Sequence, residues 1–354
     1  MTTALLEQAR DGGTPLVEAD QATFVWSGAP VPQLVGDFNE WDLNRPFRLQ
    51  RSGDDLWSLT LSLPADAYIE YAFVRDGQRL TDPFNGRSVS NGLGQRNHYF
   101  YMLEAAPSPL AHRRPKVARG AISRHYLPTE GIIAGRQRLV ALYRPVAAAP
   151  AALLVVLDGQ DYAARGRITA IVDNLTALGT ITPLALALVY HHRQARMAEY
   201  ICSDATLLFI RERVLPLAQH ELFLAPPETL SGHYGLLGAS AGGLQALYLS
   251  YRAPELFGRV LCQAAMFSMG EHDVAIYEWA HSHPAPGQVW LDVGRYDSFL
   301  ETNRRMRRLL KERGASVHYH EYAAGHNYTA WRNQLPDALA TMFAPQVDRP
   351  PDRD

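Results

Sequence analysis

The residue that the sequence most clearly places for catalysis is Ser240, at the centre of a G-x-S-x-G pattern within residues 237–243. A serine on a sharp turn between a strand and a helix takes strained backbone angles, and small neighbours let the chain pass close to it. Residues 233–237 are consistent with a short buried strand, and 244–249 has the composition and apolar spacing of a helix. The pattern therefore predicts a nucleophilic serine. The alternative is an ordinary glycine-rich turn.

The partners that such a serine needs follow it in the order acid, then histidine. Asp297 comes just after the apolar strand predicted at 289–293, and a helix predicted over 299–313 comes next. A further strand, predicted at 316–322, leads into a loop that carries His326. This alternation of strand, acid loop, helix, strand and histidine loop matches the layout of a serine hydrolase built on an α/β fold.

The ionisation chemistry assigns each residue a role. His326 accepts the proton of the Ser240 hydroxyl and later donates one to the leaving alcohol, because a neutral hydroxyl is a poor nucleophile. Asp297 holds the imidazole in the productive tautomer. Asp292 is a rival acid, ranked lower because it falls within the predicted strand and not past its end. In the alternative interpretation the histidine caps a turn and Asp297 is a turn residue.

An acyl-transfer site also needs fixed N–H donors for the oxyanion. One is expected from Ala241, at the start of the helix after the serine. The other is expected from the loop 158–161, where the backbone N–H of Gln160 follows a glycine that permits close approach.

A basic, proline-containing linker is predicted at 106–120, and the sequence patterns on its two sides differ. Short aromatic and β-branched strands separated by turns predict a small immunoglobulin-like β-sandwich over 20–105. Continuous apolar strands alternating with helices predict an α/β domain over 121–345, with a mostly parallel sheet covered on both faces. Residues 1–19 and 346–354 are predicted to be tails.

Composition limits the classes of function. A net charge of −2 over 354 residues gives no reason to expect nucleic acid or a membrane surface as a partner. The two cysteines, Cys202 and Cys262, lack metal-ligand spacing and are too few for a disulfide framework. No secretory leader or membrane-length apolar run is visible, so we expect a cytoplasmic protein. No metal or cofactor is expected, and the sequence contains no pattern that predicts an oligomeric state.

With these residues assembled, 121–345 resembles the esterase D-like α/β-hydrolases, and among them most resembles the enterochelin (siderophore) esterases. The resemblance implies a triad of Ser240, Asp297 and His326 that hydrolyses esters through an acyl-enzyme. The matching segments are 157–160, Arg196 with Glu199, 238–243, 254–258, and Gly325 and His326 followed by Trp331 and Arg332.

The same resemblance indicates substrate contacts. Arg196 and Glu199 match positions that would serve an acidic or catecholate substrate, since arginine suits bidentate recognition of anions. In the alternative interpretation, the two residues form a pair that orders the loop. Gly159 and Trp331 complete the predicted substrate-binding set.

The N-terminal half carries a G-D-F-N-x-W motif at 36–41 and resembles the early-set β-sandwiches, which include glycogen-binding modules. Trp26, Trp41 and Trp57 are candidates for stacking on sugars, although a tryptophan in a small sandwich is more often part of the core. The sandwich could instead form a wall of the active site.

The leading hypothesis is a serine carboxylic-ester hydrolase acting on a catecholate-siderophore-like or aryl ester. The alternatives are a carbohydrate acyl (feruloyl or acetyl) esterase guided by the sandwich, and an acyltransferase. A non-catalytic carbohydrate-binding protein is disfavoured by the intact Ser, Asp and His set. The sequence does not separate attack by water from attack by an alcohol, because both pass through the acyl-enzyme.

Overall fold

The computed structural model describes residues 2–226, 234–270 and 272–345. These residues divide into two compact units. One comprises those within Met1–Pro107 together with Gly294–Leu300 and Glu321–Ala330, and the other those within Ser108–Val293, Glu301–His320 and Trp331–Asp354. The loops of Asp297 and His326 thus belong to the unit of the N-terminal half, although the sequence placed them in the 121–345 domain. The predicted tail 346–354 and His233 lie outside the described residues.

The first unit contains an antiparallel β-sandwich. Its elements are α1 Thr2–Gly12, β1 Leu16–Glu18, β2 Gln21–Ser27, β3 Gln33–Gly36, a 3₁₀ turn Asp37–Asn39, β4 Phe47–Arg48, β5 Gln50–Gly53, β6 Leu56–Ser62, β7 Tyr68–Arg75, β8 Gln78–Leu80, β9 Ser88–Ser90 and β10 Arg96–Tyr101. One sheet has the strand order β1-β2-β6-β5 and the other β4-β3-β7-β10-β9, with β8 paired to β7.

Aromatic side chains from both sheets fill the sandwich core. Phe24 of β2 packs edge-to-face on Tyr71 of β7 and Phe100 of β10, with ring centroids 4.9 and 5.7 Å apart. Such pairs gain about 0.5–1.5 kcal/mol beyond the burial of their area. The immunoglobulin-like sandwich predicted from strand alternation is confirmed.

The prediction of an N-terminal tail over 1–19 is wrong for the described residues. Strand β1 pairs with β2, and Leu5, Leu6 and Ala9 of α1 pack on Val25 and Leu56 of the sandwich. The physical reason is the spacing of those three apolar residues, which share one face of a helix and are buried only when that face meets the sheet.

The remaining elements build the α/β half. The strands are β11 Ala121–Pro128, β12 Gln137–Arg144, β13 Ala152–Leu157, β14 Leu184–Val189, β15 Tyr234–Ala239, β16 Phe257–Gln263, β17 Ser268–Met269, β18 His272–Asp273, β19 Gln288–Gly294 and β20 Ser316–Tyr322. Eight of these strands form a sheet of order β11-β12-β14-β13-β15-β16-β19-β20, and β17 and β18 pair as a separate two-stranded sheet. The helices are α2 Gly159–Ala164, α3 Ile168–Ala177, α4 Arg196–Tyr200, α5 Asp204–Phe209, α6 Leu215–Glu221, α7 Ala241–Arg252, α8 Ile276–Ser282, α9 Leu300–Glu312 and α10 Tyr328–Met342, with a 3₁₀ turn Pro109–Ala111 and a π-helical turn Ile210–Val214.

The strands of this sheet run mostly parallel. Strands β13, β14, β15, β16 and β19 pair in parallel, whereas β11 and β12 are antiparallel at one edge. Every residue of β13 and β14 is buried, as expected for parallel strands that read as continuous apolar runs. The predicted α/β architecture with a mostly parallel sheet is confirmed. In the described ranges, no helix combines the length and apolarity needed to cross a bilayer.

Candidate active site

Ser240 lies on the turn between β15 and α7, as its sequence pattern predicts. Its φ of 57° and ψ of −127° are strained for a residue with a Cβ. The surrounding backbone fixes this conformation: the Ser240 N–H donates to Gln263 O at 2.9 Å, and the Ser240 carbonyl accepts from the N–H groups of Gly243 and Leu244 at 3.0 and 3.1 Å. The serine itself is half-buried.

The first glycine of the pattern is required by close packing. A Cβ on Gly238 would lie 2.1 Å from the carbonyl oxygen of Gly242, where the first turn of α7 crosses the end of β15. The second glycine of the pattern, Gly242, is less constrained, because its Cβ would lie 3.1 Å from Asp158 Oδ2. Gly238 is therefore a steric requirement of the turn at Ser240.

Both predicted oxyanion donors lie in the first turn of a helix, where N–H groups have no intrahelical acceptor and the helix dipole favours negative charge. Ala241 is the first residue of α7 and is fully buried. Gln160 is the second residue of α2, which follows Asp158 at a φ of 55°. The Gln160 side chain is engaged elsewhere, because its Oε1 accepts the His191 N–H at 3.1 Å. The oxyanion role of the two N–H groups stays a prediction.

Arg196 makes a bidentate ion pair with Asp158. The Nε and Nη2 atoms of Arg196 donate to the two carboxylate oxygens at 2.8 and 2.6 Å, and Asp158 is 1% exposed. The Asp158 N–H donates to the Tyr200 hydroxyl at 3.1 Å, and Arg196 Nη2 lies 3.5 Å from the carbonyl oxygen of Ala239. Arg196 thus joins the predicted oxyanion loop to the strand end immediately before Ser240.

Glu199 takes a different partner. Its carboxylate accepts from both terminal nitrogens of Arg138 at 2.8 Å each, and from the Ala134 N–H at 3.1 Å. Both side chains are buried. The two residues that the sequence linked, Arg196 and Glu199, therefore anchor α4 to different parts of the fold. Sequence reasoning missed Arg138, which is one of two arginines in β12 and is only 4% exposed.

Gly159 and Trp331 both have packing roles. A Cβ on Gly159 would lie 2.5 Å from the carbonyl carbon of Leu188, so glycine is needed to seat α2 against β14. Trp331 is 4% exposed in α10. Substrate contact by either residue stays a prediction.

Asp292, the rival acid, lies inside β19 as expected and is fully buried. Its Oδ2 accepts from Trp290 Nε1 at 2.8 Å and from Gln263 Nε2 at 2.9 Å. Gln263 in turn accepts from the Tyr162 hydroxyl at 3.0 Å, while its backbone carbonyl binds the Ser240 N–H. This buried network supports the elbow through Gln263, a residue that sequence reasoning missed.

Asp297 and His326 are in direct contact. Asp297 Oδ2 lies 2.8 Å from His326 Nδ1, and Asp297 Oδ1 accepts the Phe299 N–H at 2.9 Å. The Asp297 side chain is fully buried, whereas that of His326 is 33% exposed, with its ring edge-to-face on Phe299 at 5.4 Å. A carboxylate can only accept, so the contact places the imidazole proton on Nδ1 and leaves Nε2 as the basic nitrogen.

A mostly parallel sheet, a strained serine at a strand–helix turn and an Asp–His pair define the class as an α/β-hydrolase. The family model described as "Putative esterase" matches residues 133–342, more than half of the chain, and the protein belongs to that Esterase family. It is a carboxylic-ester hydrolase whose substrate is a small-molecule ester.

Curated relatives align over most of the chain. The chain is 26% identical to an Iron(III) enterobactin esterase of Dickeya dadantii, over 94% of this chain and 90% of that one. It is 26% identical to an Iron(III) salmochelin esterase of Escherichia coli, over 81% of this chain and 78% of that one. The resemblance to enterochelin esterases is confirmed.

Solved structures share the fold. The enterobactin esterase from Shigella flexneri, solved in the presence of enterobactin, superimposes with a TM-score of 0.76 at 20% identity, covering 91% of this chain and 92% of that one. A ferulic acid esterase from Anaeromyces mucronatus gives a TM-score of 0.56 at 17% identity, covering 67% of this chain and 96% of that one.

Proposed function

We propose that this esterase hydrolyses a catecholate-siderophore-like or aryl ester through an acyl-enzyme on Ser240, with His326 as general base and Asp297 as its partner. The observation that carries the proposal is the 2.8 Å contact between Asp297 Oδ2 and His326 Nδ1. It leaves Nε2 to exchange a proton with a serine hydroxyl, as in the serine–histidine–aspartate template.

In the acylation step, Ser240 Oγ attacks the ester carbonyl carbon while His326 Nε2 takes its proton. The N–H groups of Ala241 and Gln160 stabilise the oxyanion, which is the kind of interaction whose loss costs about 10²–10³-fold in rate. Collapse of the tetrahedral intermediate breaks the bond to the alcohol, which leaves with the proton from His326. Asp297 accepts the hydrogen bond of the imidazolium and stabilises it.

Deacylation repeats the sequence with water. His326 Nε2 removes a proton from the water, whose oxygen attacks the acyl carbon, and the proton then returns to Ser240 Oγ as the acid departs. The chemistry needs no group beyond the chain and water. Iron in a ferric siderophore would be part of the substrate.

The substrate class is supported by relatives named for iron(III) enterobactin and iron(III) salmochelin, which align over 81–94% of this chain. Among the predicted substrate contacts, we retain Arg196, whose side chain is 23% exposed and cationic. The burial of Glu199, Gly159 and Trp331 argues for packing and ionic roles at those positions.

Two experiments test the proposal. A fluorophosphonate probe should label the wild-type protein at Ser240 and should not label Ser240→Ala; equal labelling of the variant would overturn the nucleophile. Hydrolysis of a catecholate trilactone should then exceed hydrolysis of a feruloylated sugar, with Ser240→Ala as the blank. A preference for the sugar ester would move the substrate class to carbohydrate acyl esters.

The second candidate, a carbohydrate acyl (feruloyl or acetyl) esterase, is favoured by the fold shared with a ferulic acid esterase over 67% of this chain. Sugar contact through the sandwich receives less support, because Trp26 and Trp57 pack against the sandwich core and Trp41 donates its indole N–H to Asp37 at 3.0 Å. A sugar as acyl acceptor would instead make the protein an acyltransferase.

We also propose a cytoplasmic location, because Cys202 and Cys262 are free thiols, as expected in a reducing compartment.

A further inference from the structure

Asp37, in the G-D-F-N-x-W motif, is a buried carboxyl group that receives three N–H donors. It is 2% exposed and lies in the 3₁₀ turn after β3. Its Oδ2 accepts the Glu70 N–H at 2.8 Å, and its Oδ1 accepts Trp41 Nε1 at 3.0 Å. The third donor is the backbone N–H of Gly325, the residue immediately before His326.

The approach of Asp37 to Gly325 leaves no room for a side chain at that position. A Cβ on Gly325 would lie 2.2 Å from Asp37 Oδ1 and 2.4 Å from its carboxyl carbon. The glycine before the histidine is therefore explained by Asp37, a residue of the sandwich that is remote from it in sequence.

Two more hydrogen bonds hold the same stretch of backbone. The Tyr68 N–H, from β7 of the sandwich, donates to Ala323 O at 2.9 Å, and the Tyr296 N–H, from the acid loop, donates to Ala324 O at 3.1 Å. Ala323 is also 2% exposed within the sandwich core. Three consecutive residues before His326 are thus each fixed by a different partner.

We propose that Asp37 is a positioning residue for His326, and that the G-D-F-N-x-W motif in this chain serves the esterase reaction. The inference rests on the proposed role of His326 as general base. Through Gly325, Asp37 sets the backbone from which the imidazole reaches Asp297. Trp41 completes this arrangement, since it packs against the cluster of Val35, Ala72 and Val74 and donates its indole N–H to Asp37.

The test compares Asp37→Ala and Asp37→Asn with Asp82→Asn. Asp82 is a matched control, because it is also 2% exposed in the sandwich but binds Thr14, Tyr71 and the Phe84 N–H. Steady-state kcat and KM, the pH profile of kcat/KM and the melting temperature are measured for each variant on an aryl ester.

We expect Asp37→Ala to lower kcat by about 10- to 100-fold, with KM within about threefold, because a small displacement of a catalytic group has effects of this order. The acid limb of kcat/KM should move to lower pH, because an imidazole displaced from the Asp297 carboxylate has its charged form stabilised less. Asp37→Asn keeps one carbonyl oxygen as acceptor, so its kcat and its acid limb should both change less than those of Asp37→Ala. Asp82→Asn should lower the melting temperature and leave kcat and the acid limb in place.

An unchanged kcat and acid limb in Asp37→Ala, beside an inactive Ser240→Ala, would overturn the positioning role and leave the proposed function standing. Loss of kcat with an unmoved acid limb, or an equal loss of kcat in Asp82→Asn, would also overturn the positioning role. Either result would show a general effect on folding. Full activity of Ser240→Ala would overturn the proposed function instead. If Asp37→Ala does not accumulate as folded protein, kcat and the acid limb of Asp37→Asn decide the proposal by the same criteria.

Discussion

The turn at Ser240 and the loop of His326 are held in place by different means. The serine turn is enforced by steric exclusion among neighbours in sequence, because Gly238 has no space for a Cβ beside Gly242. The histidine loop is held by hydrogen bonds with residues remote in sequence: the Tyr68 N–H donates to it, and the Asp37 carboxyl accepts from it. The nucleophile is therefore specified locally, and the base depends on a second part of the fold.

This difference explains what each region tolerates. A packed backbone cannot relax around an added methyl group, so the serine turn should fail abruptly when its glycines are changed. Hydrogen bonds can be weakened one at a time, so the histidine loop should lose alignment gradually. The predictions below test this contrast, from the largest expected effect to the smallest.

The largest effect is expected from Asp297→Asn. The amide cannot hold the required tautomer of His326, so kcat should fall by about 10⁴-fold with little change in the free energy of unfolding. Steady-state kinetics and urea unfolding measure the two quantities. Asp292→Asn is the control: it should lower stability by about 1–3 kcal/mol, through its buried N–H donors, and keep kcat within about tenfold. The opposite ranking would make Asp292 the acid.

Gly238→Ala should lower the free energy of unfolding by about 3 kcal/mol or more, because its Cβ would meet backbone atoms that cannot move aside. Gly235→Ala, in the same strand, is the matched control. Its Cβ would meet only the side-chain ends of Phe343 and Leu154, at 2.8 and 2.9 Å, which can shift. Equal destabilisation of the two variants in chemical denaturation would contradict the steric account of the elbow.

Arg196→Lys should separate support of the oxyanion loop from recognition of substrate. Lysine keeps the charge but cannot reproduce the bidentate contact with Asp158. If the contact orders the loop, kcat falls by about tenfold while KM stays within about threefold. A rise in KM at constant kcat would instead assign Arg196 to substrate binding. The exposed Arg193→Lys is the control and should change neither parameter.

The last prediction concerns the pH dependence of stability, where the change expected at each step of one pH unit is the smallest of the series. Burial, and then the nearby Glu70, raise the pKa of Asp37 from 3.8 to about 8, against the opposing N–H donors of Glu70, Trp41 and Gly325. Between those pKa values the folded state holds a proton that the unfolded state has lost. The contribution of this group to stability is therefore complete below about pH 4 and decreases as pH rises toward 8, by up to about 1.4 kcal/mol per pH unit.

Asp37→Asn removes this titration, so its stability deficit relative to the wild type should shrink as pH rises from 5 to 8. Urea unfolding of both proteins across that range measures the deficit. The other ionisable side chains around Asp37, those of Glu70, Tyr68 and Tyr296, are present in both proteins. Parallel stability curves would show that Asp37 holds no extra proton in the folded state.

The sequence predicts those features that depend on local pattern. The turn at Ser240 and the strands of the sheet follow from glycine placement and apolar runs, and Asp297 and His326 were found from their positions after successive strands. Ion-pair partners were not predictable in this way. Glu199 could be matched to Arg138 only by the fold, because no periodicity connects α4 with β12.

The N-terminal helix shows the same limit. Its apolar residues at positions 5, 6 and 9 are too few to mark a buried helix until their contacts on Val25 and Leu56 are known. The role of Asp37 was also hidden, because the motif that contains it resembles a sugar-binding module and its contact with Gly325 joins opposite ends of the chain. Long-range contacts of this kind leave no local trace in the sequence.

The unit that contains His326 is assembled from three separate stretches of chain, the last ending at Ala330. During synthesis at about 5–20 residues per second, the N-terminal strands leave the ribosome well before residues 321–330. Until those residues arrive, the sandwich core lacks Ala323, and Asp37 lacks the Gly325 N–H. A nascent chain stalled before this segment would therefore carry an incomplete sandwich and no hydrolytic activity, so activity would mark the arrival of the C-terminal segment on the N-terminal fold.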